Sequence, residues 1–222
     1  LKEKKMENLV KVSVSRKVRQ NAIVKISVVG TVALLGLVLS LYSIFSSNLL
    51  FAVWYFVAFI LGLSYVVIRI NAVFPSYIQV YEDRLVMSVW KNGVMPYRLP
   101  EKPTFLSDFM PEKIKKDEIA LSEIAEVYVG SKRFFDRTVK DEYYPDMLKT
   151  LGQARHLENT VKRMDFLLVV AKDGEKCFMS VTDFDVKGLS DILDEIERNC
   201  AGVQVFVGIP KLRRIRDRIK KA

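Results

Sequence analysis

Two uninterrupted apolar runs dominate the first third of the chain, Ile26–Phe45 and Leu49–Ile68, and no Lys, Arg, Asp or Glu lies between Ile26 and Ile68. Each run has about twenty residues, the length an α-helix needs to cross a hydrocarbon core roughly 30 Å thick. A buried helix of a soluble protein keeps a polar face, and neither run has a charged residue on any face. A cleaved signal peptide would account for the first run but not the second. Only Ser46, Ser47 and Asn48 separate the runs, which predicts an antiparallel helical hairpin with a tight turn. Gly36 and Ser40 in the first helix, and Ala58 and Gly62 in the second, have the four-residue spacing that lets backbones approach, and are the expected packing positions. Ion and proton pathways need ionisable groups inside the span, and none is present. The hairpin therefore reads as an anchor.

Beyond Arg69 the pattern changes to short alternating runs. Tyr77–Tyr81 and Leu85–Trp90 read as strands on either side of Glu82-Asp83-Arg84, and Lys91-Asn92-Gly93 supplies the next turn. Residues 99–117 hold Pro100, Pro103 and Pro111 among many charges and read as a loop. Ile119–Ile124 and Ala125–Val129 predict a strand, a bend and a second strand. The clearest hairpin is Phe166–Ala171, a turn through Asp173-Gly174, and Lys176–Val181. Between Phe135 and Met164 the connection is too long for a turn and more apolar than a linker requires, with Tyr143, Tyr144, Met147 and Leu148 forming a candidate partner surface or a helix packed on the domain. The last regular element is a helix over 185–198. Its apolar face is Val186, Leu189, Ile192, Leu193 and Ile196, and Asp191, Asp194, Glu195 and Glu197 are expected on the solvent side.

Charge sharpens the picture. The net charge is +9, yet residues 1–25 carry eight Lys/Arg against two Glu and residues 211–222 carry seven against one Asp, leaving a slightly acidic middle. Basic residues precede the first span (Lys11, Arg16, Lys17, Arg19, Lys25) and Arg69 closes the second, while the turn has none. The positive-inside rule then places both termini in the cytoplasm of a multi-pass protein of the cell membrane. In the tail, Leu212, Ile215 and Ile219 share a helical face ringed by Lys211, Arg213, Arg214, Arg216, Arg218, Lys220 and Lys221. This is the pattern of an interfacial helix, and those seven are the expected membrane-surface contacts. The same pattern suits RNA or an acidic partner protein, and the membrane surface is the expected contact because the hairpin already holds the domain at the bilayer.

Candidate chemistry adds little. Cys177 and Cys200 lack CxxC spacing and read as ordinary thiols in a reducing compartment; His156 is the single histidine and reads as a loop residue. No phosphate loop, GxGxxG, HExxH or GxSxG is present. The expectation is a non-enzymatic protein with no catalytic residue, cofactor or metal.

The strand pair YIQVYEDRLVMSVWKNG, the segment IALSEIAEVYVG and the closing FLLVVAKDGEKCFMSVTDFDVKGLSDILDEI together resemble the bacterial membrane-anchored pleckstrin-homology-like (PH-like) domains over about residues 72–200. The resemblance lies in the order of the patterns. It implies a membrane α + β protein: a two-helix transmembrane hairpin followed by a PH-like antiparallel β-barrel or roll with a C-terminal helix. The expected divisions are a basic cytoplasmic segment 1–25, a hairpin over 26–70, a cytoplasmic domain over 71–200 with an insertion at about 136–160, and a basic amphipathic segment 201–222. The expected function is a protein-binding adaptor or assembly factor at the cytoplasmic membrane face. The alternatives are a sensor of anionic lipid headgroups, in which Lys132, Arg133 and Arg137 join the tail, and an accessory subunit of a transport or envelope enzyme complex. Expected partners are the lipid bilayer, a membrane or cytoplasmic protein and anionic lipid, but no nucleic acid. Homo-oligomerisation stays open.

Overall fold

The computed structural model describes residues 8–74, 76–90, 114–146, 148–149 and 161–219. The turn at 91–93, the proline-rich loop up to residue 113, Met147, His156, Lys220 and Lys221 lie outside the described residues. The described chain divides into two compact units, one from residues 16–74 and the other from residues 8–15, 76–90 and 114–219.

The first unit is the helical hairpin, α1 (Arg16–Phe45) and α2 (Leu49–Val73). Helix α1 starts well ahead of Ile26 because Arg16–Lys25 contains neither glycine nor proline and so carries the helix straight into the apolar run. Between the helices Ser47 takes a left-handed conformation, φ 62°, and the Asn48 amide donates to the Ser43 carbonyl at 2.9 Å. One side of α1, with Ala22, Ala33, Gly36, Ser40 and Ser43, is buried. From Ile26 onward the other sides of α1, and most of α2, stay apolar and open, with Phe45 of α1 87% and Leu50 of α2 71% exposed. Both helices are long and apolar enough to cross a membrane. A continuous apolar surface of this extent is unfavourable in water and favourable in lipid, which associates the chain with a membrane.

The second unit holds two four-stranded sheets. In the first, β1 (Asn8–Ser13), β2 (Tyr77–Tyr81), β3 (Arg84–Trp90) and β4 (Ile114–Ala120) lie in sequence order, each antiparallel to the next. Strand β1 lies within residues 1–25, expected to be a basic cytoplasmic segment. Its register on β2, from Val10↔Val80 to Ser13↔Tyr77, places Val12 opposite Ile78, and both are buried. Strand β4 begins inside the stretch read as loop, because the seven residues of β3 find ladder partners back to Ile114. A single 3₁₀ turn, Leu121–Glu123, leads to the second sheet.

That sheet has the order β7-β6-β5-β8, with β5 (Ile124–Ser131), β6 (Asp165–Ala171), β7 (Lys176–Ser180) and β8 (Gln204–Val207). The β6–β7 hairpin turns at Gly174, whose φ of 89° suits glycine. Strand β8 was not foreseen: it returns after the helix to run parallel to β5, making the sheet mixed. The two sheets do not close into a barrel, which corrects that part of the expectation.

All six residues Phe166–Ala171 of β6 are buried, so this strand is covered on both faces. On one face Phe166 stacks on Phe178 at 5.2 Å and Phe135 meets both rings edge-on at 6.2 Å. Phe135 belongs to the short helix α3 (Lys132–Thr138). Helix α4 (Val186–Asn199) buries Leu189, Ile192, Leu193 and Ile196, and packs against β1, β2 and β8. Asp185 caps its start by accepting from the Gly188 amide at 3.0 Å. A final helix, α5 (Pro210–Ile219), lies against α4 and β8.

Candidate functional site

The tail expected to meet the bilayer is in fact divided between the domain interior and its surface. Leu212 is completely buried, and Arg216 is only 6% exposed. The Arg216 guanidinium reaches Asp194 Oδ1 through Nε at 3.1 Å and Glu197 Oε2 through Nη2 at 2.7 Å. Arg216 is therefore withdrawn from the expected membrane contacts, because its charge is spent holding α5 on α4. By the same geometry Asp194 and Glu197 are not on a free solvent face, whereas Asp191 is exposed. Lys211, Arg213, Arg214 and Arg218 remain exposed on α5.

The Tyr143–Leu148 patch is corrected similarly. Leu148 is fully buried and Tyr144 is 9% exposed, so neither can be offered to a partner. The stretch after α3 is held down by ties to α3, β5 and β7. The Tyr144 hydroxyl donates to Asp136, which also accepts from Lys132 Nζ at 2.8 Å. Burial lifts the Tyr144 phenol well above its ordinary value, and the carboxylate beside it adds to that. Burial also works to raise the Asp136 carboxyl, but Lys132 and Tyr144 outweigh it and hold it low. A second tie runs from Lys140 Nζ to Glu126 Oε1 at 2.8 Å, and Glu126 also accepts from the Tyr128 hydroxyl. Lys176 Nζ donates to the Glu142 carbonyl at 2.9 Å, which fixes the same stretch to β7. Tyr143, by contrast, stays partly open, beneath Lys140 at 5.1 Å from its ring centre.

In the hairpin, three of the four expected packing residues face the neighbouring helix. A Cβ on Gly36 would stand 3.1 Å from the Tyr55 carbonyl oxygen, and one on Gly62 would meet the Ala33 methyl at 2.7 Å. Ser40 Oγ donates to the Ala52 carbonyl at 2.9 Å. Ala58 points outward and is exposed; the buried Ala52 takes its place in the contact.

Among the described residues, two clefts open on the second unit. One, of about 310 Å³, is lined by Lys132, Asp136, Val139, Asp141, Tyr144, Leu148 and Lys149. Of its charged groups, Lys132 and Asp136 pair with each other, and Asp141 and Lys149 are exposed. The other, of about 360 Å³, is lined by Phe134, Val205, Phe206, Val207, Arg213, Arg216 and Asp217. It lies along the outer edge of β8, between α3 and α5. Phe134 reaches it because Gly130 and Gly208 leave room for the ring: a Cβ at either position would collide with it. Phe206 stacks on Tyr128 at 4.8 Å, and Arg213 Nη2 donates to the Val207 carbonyl at 2.7 Å.

This cleft was missed in the sequence because β8 was absorbed into the basic tail. The alternating run Val203-Gln-Val-Phe-Val207 was the available signal. Among the described residues, no group of three or more His, Cys, Asp or Glu is placed to hold a metal ion. Cys177 and Cys200 are both buried free thiols. Compared with models of known protein families, with curated proteins and with solved structures, the chain matches none.

Proposed function

We propose that this chain is a membrane-anchored, non-enzymatic interaction module, a bacterial PH-like domain held at the cytoplasmic face of the cell membrane to bind a protein partner. The observation that carries the reading is the pairing of β1 with β2. One strand precedes the hairpin and the other follows it, so the anchor is an insertion within the domain rather than an appendage. A domain tethered through two adjacent strands stays at the bilayer on whichever side both strands occupy. The charge asymmetry supports the cytoplasm as that side, with Arg16, Lys17, Arg19 and Arg69 flanking the hairpin's open end.

The PH-like assignment is supported by element order: four antiparallel strands, then three, then an amphipathic helix. In this reading the hairpin sits between the first and second strands, and β8 with α5 is a C-terminal addition. Binding is favoured over turnover because Arg216, beside the β8 cleft, is used in joining α5 to α4, and Asp136, beside the other cleft, is held by Lys132 and Tyr144. A second reading, recognition of anionic lipid, is favoured by the four exposed basic residues of α5.

The discriminating experiment is extraction of the full-length protein in mild detergent, followed by mass spectrometry of what stays attached. A protein partner in stoichiometric amount is the expected result. Enriched anionic lipid with no protein would replace the first reading by the second.

A further inference from the structure

The cleft beside β8 is more than a depression, because a strand edge runs along its wall. In a parallel ladder successive residues direct their N–H and C=O groups alternately toward the neighbouring strand and away from it. The Gly208 amide donates to the Val129 carbonyl at 2.7 Å, so Gly208, and by alternation Phe206, face β5. Val205 and Val207 then direct their backbone groups outward. Arg213 agrees with this parity, since its bond to the Val207 carbonyl arrives from the outer side. Left facing the cleft are the Val205 N–H, the Val205 C=O and the Val207 N–H.

An open edge of this kind is a template for another strand, and proteins ordinarily blunt it with charge, a covering element or closure. Here the covering is partial. Helix α5 guards one end through Arg213, and Phe134 forms an apolar wall at the other side. The space between, about 360 Å³, falls at the small end of the range for ligand clefts. It suits one or two side chains of an extended segment.

We propose that the outer edge of β8 receives an extended peptide of a partner protein as an added strand, with an apolar side chain against Phe134 and a carboxylate against Arg213. The occupant's chemistry follows from the wall: backbone groups that pair with Val205 and Val207, an apolar contact, and negative charge to meet Arg213, on a helix whose Lys211, Arg214 and Arg218 are also exposed. Asp217 is the opposing acidic group in the lining, and it disfavours a second carboxylate near that end. The proposal rests on the reading of the protein as a protein-binding module and names where and how binding occurs.

The test begins with selection from a phage-displayed random peptide library against the full-length protein in nanodiscs. Selected peptides are expected to alternate apolar and polar residues and to carry at least one Asp or Glu. Val205→Pro removes an outward N–H and leaves the bonds to β5 in place, so it is expected to weaken binding about tenfold without lowering the unfolding temperature. Methylating the peptide's own backbone nitrogens one at a time leaves the protein untouched, and alternate positions are expected to lose binding. Arg213→Glu is expected to weaken acidic peptides more than their amidated counterparts. A library that yields no binder overturns the proposal. So do binders that tolerate both Val205→Pro and every N-methylation; if those binders still depend on Arg213, the partner is an acidic protein surface. A stoichiometric partner in the detergent extract that ignores these changes leaves the module reading standing and ends this one.

Discussion

Ser13 and Tyr77 are register partners across β1 and β2, although the whole apolar hairpin separates them in sequence. Strand β1 is secured twice more. The Ser15 amide donates to the Asp183 carbonyl at 2.8 Å, and Val12 presses so closely on α4 that a Cβ at Gly188 would lie 2.8 Å from it. The second unit is therefore complete only when residues from both sides of the hairpin are present.

Replacing residues 16–75 by a short Gly/Ser linker from Ser15 to Ser76 is expected to give a soluble protein that unfolds cooperatively. A chain that simply begins at Ser76 lacks β1, bares the β2 edge and the Val12 contact, and is expected to aggregate. Thermal unfolding followed by circular dichroism distinguishes the two, and an equally stable shorter chain would contradict the role given to β1.

Arg216→Met should be costly for the opposite reason to that expected of a membrane-facing arginine. It leaves Asp194 and Glu197 facing each other without their counter-ion. Because both carboxylates are partly exposed, the loss should be about 2 to 3 kcal/mol, toward the low end for a broken buried pair. Arg214→Met, on the exposed face, should stay within about 0.5 kcal/mol. Denaturant titration of the linker-joined domain measures both.

Leu148→Ala and Tyr143→Ala separate core from surface within one short stretch. Leu148 is fully buried, and its truncation should cost about 3 kcal/mol. Tyr143 is partly open, and its loss should cost less than about 1 kcal/mol. Equal, small effects would return the whole patch to the surface.

Asp165 sets a pH dependence. Burial raises its carboxyl above the ordinary range, so the folded chain holds that proton more tightly than the unfolded one. Its contribution is most favourable below the unfolded value. It declines as pH rises from there to the raised folded value, and stays at the lower level at neutral pH. Asp165→Asn is neutral throughout. The variant should melt above the wild type at pH 7, with the gap closing near pH 4, at about the ordinary aspartate value. A constant gap across that range would assign the gain to something other than the charge.

The parts of the fold that could be read in the sequence are those specified locally. The two spans are set by uninterrupted apolarity, the β6–β7 turn by Asp173-Gly174, and α4 by an apolar stripe with Asp185 at its start. What escaped was specified at a distance. Strand β1 alternates as a strand should, but its partner lies beyond the hairpin, so nothing nearby marks it. Strand β8 has four residues and pairs in parallel with β5, which lies far upstream, and no short turn announces such a pairing. The amphipathic stripe of α5 is genuine: its mean face was legible, but not what covers it. Leu212 and Arg216 meet α4 because Asp194 and Glu197 offer charge at the matching height, a coincidence of two helices that neither shows alone. The candidate cleft shared this fate, since it exists only where β8, α3 and α5 converge.

The interleaving of anchor and sheet also has a consequence for biosynthesis. Strand β1 leaves the ribosome before either apolar helix, and β2 only after both. If the first helix crossed a bilayer and the second failed to return, the two strands would finish in different compartments, and the first sheet could not assemble. Pairing of β1 with β2 would then depend on the return of the second helix, and a chain that missed it would be left with unpaired strand edges.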